Sequence, residues 1–342
     1  MTQVFQYSGV FECENGYLLN GLVITYTTKG RFLGRRSKIV WVIHALTANS
    51  DFNSWWPGIF DKNQIFNTDE YYIICANNLG SCYGTTGPLS INPTTGEPYF
   101  HQFPSFTIRD MANVLKLLAQ HLGIIQIEFI IGASLGGQIA LEWAIDLGPL
   151  LNYLVLLATN AVHSPWGIAF NASQRMAIEA DATWVNNHPD AGKQGLATAR
   201  TIALLSYRSY HTFQISQADI DMNKVDNFLA EGYQKYQGLK FIQRFNAFSY
   251  FLLSKAMDSH NVSRGRGPIK DTLKRIVAKT IVYNIESDIL FPLSEQQLLA
   301  SAIPNATLIQ INSDFGHDGF LIETDKIANK LKQWNKNKLQ ET

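Results

Sequence analysis

The run Ile127-Glu128-Phe129-Ile130-Ile131-Gly132-Ala133-Ser134-Leu135-Gly136-Gly137-Gln138-Ile139-Ala140-Leu141-Glu142-Trp143-Ala144 decides the fold. Its first five residues are apolar but for one glutamate and read as a buried strand. From Gln138 onward the residues are good helix formers. Between them stands Gly132-x-Ser134-x-Gly136. Strand, Gly-x-Ser-x-Gly and helix in that order form a nucleophile elbow, a turn so sharp that small residues must flank the serine. Such a turn lifts the hydroxyl clear of the chain beside a helix N-terminus, where developing negative charge is favoured. The expected chemistry is acyl transfer through a covalent serine ester.

Working outward, further short apolar runs occur at 39–43, 71–76, 153–158, 280–284 and 307–311, and 18–28 reads as an earlier strand. Most are continuous rather than alternating, as expected for strands buried on both faces of a parallel sheet. Helices are expected from Thr107 to Gly123, from Leu135 to Leu147 and from about Asp325 to Leu339. Residues 77–106, rich in Gly, Pro, Ser, Thr and Asn, read as a long loop near the active-site end. No strand of comparable quality lies between Ala158 and Thr280, where helical periodicity prevails, as in Leu196 to Leu205. The pattern predicts an α/β-hydrolase fold: a mainly parallel sheet flanked by helices, with an inserted helical lid. The core is assigned to 1–163 and 268–342, and the lid to 164–267.

The 342 residues carry 28 Lys+Arg against 28 Asp+Glu, a formal net charge of zero, which argues against nucleic acid or an anionic membrane as partner. No apolar run approaches the roughly 20 residues of a membrane helix. Cys13, Cys75 and Cys82 show neither metal spacing nor an even-numbered disulfide framework. Met1 to Phe5 lacks the basic start of a secretory signal, so a reducing cytoplasm is expected.

A nucleophilic serine needs a base and an orienting acid, which in this fold follow it in the order Ser, Asp or Glu, His. Of the histidines beyond Ser134, His317 lies directly after the final strand run, in Asp314-Phe315-Gly316-His317-Asp318-Gly319-Phe320. The strand before it ends in Glu286-Ser287-Asp288, which offers two carboxylates. Asp288, one loop beyond the strand and before Phe291-Pro292, is preferred, with Glu286 as the alternative. The oxyanion hole needs two backbone N–H donors. They are expected from Leu135, after the nucleophile, and Leu46, in the loop after 39–43. His44 precedes the nucleophile and is expected to support that loop.

Several blocks together resemble the homoserine O-acetyltransferase family: His44-Ala45-Leu46-Thr47, Asn78 to Pro88, Ser90 to Pro93, Thr107 to Met111, Ala140 to Ala144, Tyr236 to Phe241 and Gly316 to Phe320. They span residues 40–324. The resemblance implies acetyl transfer from acetyl-CoA to the hydroxyl of homoserine in methionine biosynthesis. It implies no permanently bound cofactor and no metal, and a homodimer formed through the lid. It places the nucleophile on Ser134, the acid on Asp288 and the base on His317. It also places a carboxylate-binding arginine on Arg200, a pocket tyrosine on Tyr207 and an ammonium-holding carboxylate on Asp318. Seven residues are two helical turns, so Arg200 and Tyr207 can share a face.

Departures from the family pattern are Ala133 and Leu135 around the serine, Asn246 after Arg244-Phe245, and Glu286 where Asp is usual. They leave open a serine acceptor or a succinyl donor. A carboxylesterase-type hydrolase, which needs neither Arg200 nor Asp318, is the reading from another class. No Gly-rich phosphate-cradling loop identifies the CoA contacts.

Overall fold

The computed structural model describes residues 1–339. Eight strands form one sheet: β1 (Thr2–Gln6), β2 (Val23–Lys29), β3 (Lys38–Ile43), β4 (Tyr71–Ala76), β5 (Ile127–Ala133), β6 (Leu151–Leu157), β7 (Lys279–Ile285) and β8 (Ala306–Ile311). Their spatial order is β1-β2-β4-β3-β5-β6-β7-β8. The β1–β2 and β2–β4 pairs are antiparallel; every pair from β4 to β8 is parallel. Parallel neighbours need long crossovers, and the helices that supply them cover both faces. Alternate side chains therefore enter different cores: Trp41 and Ile43 pack on one face, Val40 and Val42 on the other.

The elements named here are α1 (Ile108–His121), α2 (Leu135–Leu147), α3 (Pro165–Glu179), α4 (Lys193–Tyr207), α5 (Tyr210–Gln217), α6 (Leu229–Phe241), α7 (Ala247–Asp258), α8 (Leu293–Ala302) and α9 (Thr324–Leu339). Thr107 caps α1 in a capping box with Asp110, which satisfies donors that a helix start leaves open. The Trp143 ring of α2 meets Trp41 of β3 edge-on, with centroids 4.8 Å apart.

Two sequence expectations need correction. The run 18–28 is not one strand. Leu18–Leu19 pairs with Phe11–Glu12 in a separate hairpin, Gly21 breaks the chain at φ +68°, and β2 begins at Val23. The edge strand β1 was not anticipated. Its Thr2-Gln3-Val4-Phe5-Gln6 is mostly polar and never fully buried, so it lacks the apolar run that marks the central strands.

Between β6 and β7 the chain forms α3 to α7, a short helix at Ile269–Leu273 and no sheet strand. At the foot of this segment Val162 bridges Asn261 antiparallel, so its two ends meet. Its return stretch is fastened by charge. Glu142 of α2, 1% exposed at the side chain, lies 2.5 Å from Arg266 and 3.0 Å from Arg109. Glu14 holds Arg109 and Arg264 at 2.7 and 2.6 Å. A buried carboxylate is tolerated only when paired in this way.

Candidate active site

The elbow is built as the glycine pattern requires. Ser134 sits at φ +55°, ψ −125°, a conformation that costs free energy and persists only where the surroundings enforce it. A Cβ on Gly132 would lie 2.3 Å from the Gly136 carbonyl oxygen, and one on Gly136 would lie 2.2 Å from the Ile43 carbonyl oxygen. Neither position admits a side chain. The turn is pinned from the neighbouring strand: Ser134 N–H donates to Leu157 O, and Thr159 Oγ1 donates to Ser134 O.

Three side chains from separate loops converge at the C-terminal edge of the sheet. His317 Nε2 lies 2.9 Å from Ser134 Oγ, and His317 Nδ1 lies 2.7 Å from Asp288 Oδ2. Asp288 Oδ1 accepts the N–H groups of Leu290 and Phe291 at 2.8 and 2.9 Å, so the carboxylate is aimed by its own turn. All three residues are buried. The Phe291 ring stacks on the imidazole at 5.1 Å, and Phe320 meets it edge-on at 5.2 Å. Glu286, the alternative acid, is exposed, and the hydrogen bond goes to Asp288.

Leu135 opens α2, where the first N–H groups have no partner within the helix. Leu46 lines the cavity that exposes Ser134. His44 lies beneath this loop, fully buried. Its Nδ1 donates to Ala45 O at 2.8 Å and its Nε2 accepts the Asn78 N–H at 3.1 Å. Burial holds its pKa down at about 4, so the ring is neutral with the proton on Nδ1. It contacts the loop and lies outside the Ser134–His317–Asp288 chain of hydrogen bonds.

The cavity over Ser134 measures about 410 Å³ and is walled on one side by α4 and Arg244. Arg200 places its guanidinium over the Tyr207 ring at 5.5 Å and the Phe241 ring at 5.2 Å. Tyr207 in turn lies 5.8 Å from the His317 ring. Burial pushes the Tyr207 hydroxyl and the Asp318 carboxyl up from their ordinary values, the latter against the pull of Arg208 and Arg200.

Two arginines in this cavity have no site role in the sequence reading, although Arg244 stands there in a family motif. Arg208 Nε lies 2.9 Å from Asp318 Oδ2, so Asp318 already has a cation beside it. Arg244 Nη1 donates to Thr47 O at 2.6 Å and to Tyr83 Oη at 2.8 Å. Among the described residues, the cavity lining thus carries the guanidiniums of Arg200, Arg208 and Arg244 and the Asp318 carboxylate. Among the described residues, no cluster of three or more His, Cys, Asp or Glu side chains is arranged to hold a metal ion, and no helix is long and apolar enough to cross a membrane.

Residues 38–324 match the family model described as alpha/beta hydrolase fold. A homoserine O-acetyltransferase of Cyclobacterium marinum is 44% identical over 335 residues, covering 98% of this chain and 95% of that protein. Among solved structures, a homoserine O-acetyltransferase from Bacillus anthracis superposes with a TM-score of 0.88 at 22% identity, covering 97% of this chain and 96% of that one. An acetylester hydrolase from Corynebacterium glutamicum superposes with a TM-score of 0.85 at 19% identity, covering 97% and 95%. At these identities the two structures speak for the shared fold alone, and that fold houses both transfer and hydrolysis.

Proposed function

The chain belongs to the homoserine O-acetyltransferase family of the α/β-hydrolase fold, and we propose that it moves an acetyl group from acetyl-CoA to the hydroxyl of L-homoserine, a step of methionine biosynthesis. The observation that carries this reading is the hydrogen-bonded chain Ser134–His317–Asp288, opening into a cavity whose far wall bears fixed charges of both signs.

In this reading Ser134 Oγ attacks the thioester carbonyl while His317 Nε2 takes its proton. The tetrahedral oxyanion is received by the N–H groups of Leu46 and Leu135. The intermediate collapses to acetyl-Ser134, and the CoA sulfur leaves with the proton from His317. Homoserine then enters and His317 takes its hydroxyl proton. The new ester departs and the serine recovers its hydrogen. Asp288 holds the imidazole with Nδ1–H towards itself and stabilises the imidazolium formed in each half. One serine serves both halves, so the kinetics are ping-pong. The chemistry is supplied by side chains and calls for no permanently bound cofactor.

The acceptor is a zwitterion and needs a cation and an anion held apart. Arg200, mounted on Tyr207 and Phe241, takes its carboxylate; Asp318 takes its ammonium. The Arg208 pairing tempers this assignment: the ammonium shares Asp318 with a guanidinium, so Asp318 orients the acceptor more than it attracts it. The surplus of positive charge suits an anionic thioester donor.

Residues 164–267 act as a lid on the core formed by 1–163 and 268–342. Around the α5–α6 connection Ile220, Met222 and Val225 are 97%, 91% and 90% exposed. Apolar side chains so close together mark a contact surface, and a second copy of the chain, docked lid to lid, is the partner we assign. Three free thiols fit a cytoplasmic location.

The test is a CoA-release assay crossing acetyl-CoA and succinyl-CoA with homoserine and serine. Acetyl-CoA with homoserine should release CoA fastest, and the intact mass with acetyl-CoA alone should rise by one acetyl group located on Ser134. Release of CoA at the same rate without any acceptor would make the protein a hydrolase instead.

A further inference from the structure

We infer that Arg244 is a positioning residue for the oxyanion loop, so that the lid completes the catalytic centre on the core. The loop 44–49 carries no regular structure, yet a donor placed on it must hold its position to about half an ångström to work. One backbone turn, Ala48 N–H to Ala45 O at 3.1 Å, and several side chains supply the restraint. His44 Nδ1 holds the Ala45 carbonyl at 2.8 Å, and Trp55 Nε1 holds the Asn49 carbonyl at 3.0 Å. Both come from the core. The carbonyl between them, Thr47, is held by Arg244 at 2.6 Å, from a residue 197 positions away. Leu46, the assigned donor, therefore lies between one carbonyl fastened from the core and one fastened from the lid.

Arg244 is itself braced. Its guanidinium lies over the Phe241 ring at 5.1 Å, the same ring that carries Arg200 at 5.2 Å. Its Nη1 also reaches Tyr83 Oη, and Tyr83 packs edge-on against Phe245 at 5.9 Å. The Cys82 thiol donates back to the Arg244 carbonyl at 3.6 Å. The 82–83 stretch of the long loop and the α6–α7 connection thus grip each other, with Arg244 extending the grip to residue 47. A charge-assisted hydrogen bond to a carbonyl is among the stronger restraints available. An exposed arginine would otherwise hold no fixed place.

The role is separable from substrate binding. The oxyanion hole serves both half-reactions, whereas a donor or acceptor contact serves one. In ping-pong kinetics kcat/KM for each substrate reports its own half-reaction. The inference rests on the acyl-serine reading above, and a small activated ester keeps the two apart. If wild-type protein is not acylated on Ser134 by p-nitrophenyl acetate or acetyl-CoA, that reading fails before Arg244 is tested.

The experiment compares wild type, Arg244→Met and Arg244→Lys. Burst acylation by p-nitrophenyl acetate, kcat/KM for acetyl-CoA and kcat/KM for homoserine are measured on each, with the thermal midpoint. Arg244→Met should lower all three rates by a similar factor, about 10- to 100-fold, the scale of a misplaced catalytic donor. The midpoint should stay near that of wild type. Arg244→Lys, which keeps one charged donor for Thr47 O, should recover most of the loss. A fall in the acetyl-CoA constant alone makes Arg244 a donor contact, and a fall in the homoserine constant alone makes it an acceptor contact. Three unchanged rates, or a Met variant that no longer folds, equally overturn the inference.

Discussion

The two walls of the cavity over Ser134 are made differently. The core wall is fixed by short hydrogen bonds within and between the sheet's own strand ends: Asp288 accepts from residues 290 and 291 in its own turn, and Ser134 is pinned by Leu157 and Thr159 at the end of β6. The lid wall is made of long cationic side chains resting on aromatic faces, with Arg200 and Arg244 both over the Phe241 ring. Hydrogen bonds of fixed length suit bond-making, where geometry must be held to fractions of an ångström. The stacked Arg200 guanidinium suits recognition, because it keeps a bidentate edge for a carboxylate and tolerates small shifts of the ligand, whereas Arg244 commits its Nη1 to Thr47 O and Tyr83 Oη. In the proposed reading the reacting groups are lodged in the core and the choice of acceptor in the lid, while Arg244 reaches across to restrain the core's oxyanion loop.

The largest effect should come from the core wall. Ser134→Ala should lower kcat on the order of 10⁴-fold or more, as for other serine triads, and abolish the acetyl adduct seen by mass spectrometry. The hydroxyl stands on an elbow and fills no core volume, so the fold should survive. Retained turnover, or an adduct on another residue, would break the assignment of chemistry to this wall. On the lid wall, Arg200→Lys should cost roughly 2–4 kcal/mol in kcat/KM for homoserine, because an ammonium cannot copy the guanidinium fork. Acylation of Ser134 by acetyl-CoA, timed by rapid quench without acceptor, should keep its rate. Equal slowing of both steps would erase the division between the walls.

The same contrast explains what could be read from the sequence. The elbow was legible because its constraints are local: Gly132 and Gly136 are dictated by backbone atoms that come within 2.3 Å of where their side chains would start. His317 and Asp288 were legible through chain order, since each follows a recognisable strand. Asp288 is preferred over Glu286 from sequence because it stands one loop beyond the strand and before Phe291-Pro292; the turn geometry supplies the physical reason, aiming one carboxylate inward and leaving the other exposed. Arg208 was hidden because α4 ends at Tyr207. The backbone turns extended at Arg208, with φ −105° and ψ 153°, and carries its side chain off the helical face to Asp318. Arg244 stands in a family motif, but its contact was hidden because its partner Thr47 lies in the first quarter of the chain, and no local pattern encodes a contact of that span. β1 was missed because an edge strand needs no continuous apolar run.

Where lid and core join, buried histidines make the boundary sensitive to acid. His163 precedes α3 and His260 follows α7, and the His163 N–H donates to the His260 carbonyl. Burial lowers their pKa values to about 4 and about 3, and that of His44 to about 4. Asp258, 4.0 Å from His163, opposes the shift but is itself paired with Arg175 at 2.6 Å. The unfolded chain takes up these protons near the ordinary histidine value, while the folded chain resists them until about pH 4. Stability should therefore be complete above that ordinary value and decline as pH falls from 7 to 5. The decline is about 2 kcal/mol for each histidine over that interval. Urea unfolding at a series of pH values measures it, and hydrogen exchange should show residues 160–163 and 259–262 loosening ahead of the sheet. A flat profile between pH 7 and 5 would mean that these rings are charged or hydrated in the fold.

The smallest expected effect on catalysis belongs to the outer face of the lid. Ile220, Met222 and Val225 are almost fully exposed in the single chain, and none of them lines the cavity over Ser134. If the lid faces pair two copies, Ile220→Lys combined with Met222→Lys places four like charges in the contact of a symmetric dimer, where each residue meets its own counterpart or a near neighbour. Sedimentation should then report a monomer where wild type reports a dimer. The catalytic constants should move by no more than about twofold, the usual reach of surface substitutions distant from a site. A wild type that sediments as a monomer removes the lid-to-lid pairing outright. A dissociated variant that also loses most of its turnover for homoserine, while keeping its rate of acylation, would show something more specific. Arg200 and Tyr207 are mounted on α4, which packs against α6, and α6 begins at Leu229, just beyond the exposed stretch. Loss of the acceptor step alone would therefore mean that pairing holds the lid wall in place, and that the second copy supplies the rigidity the core wall obtains from its own hydrogen bonds.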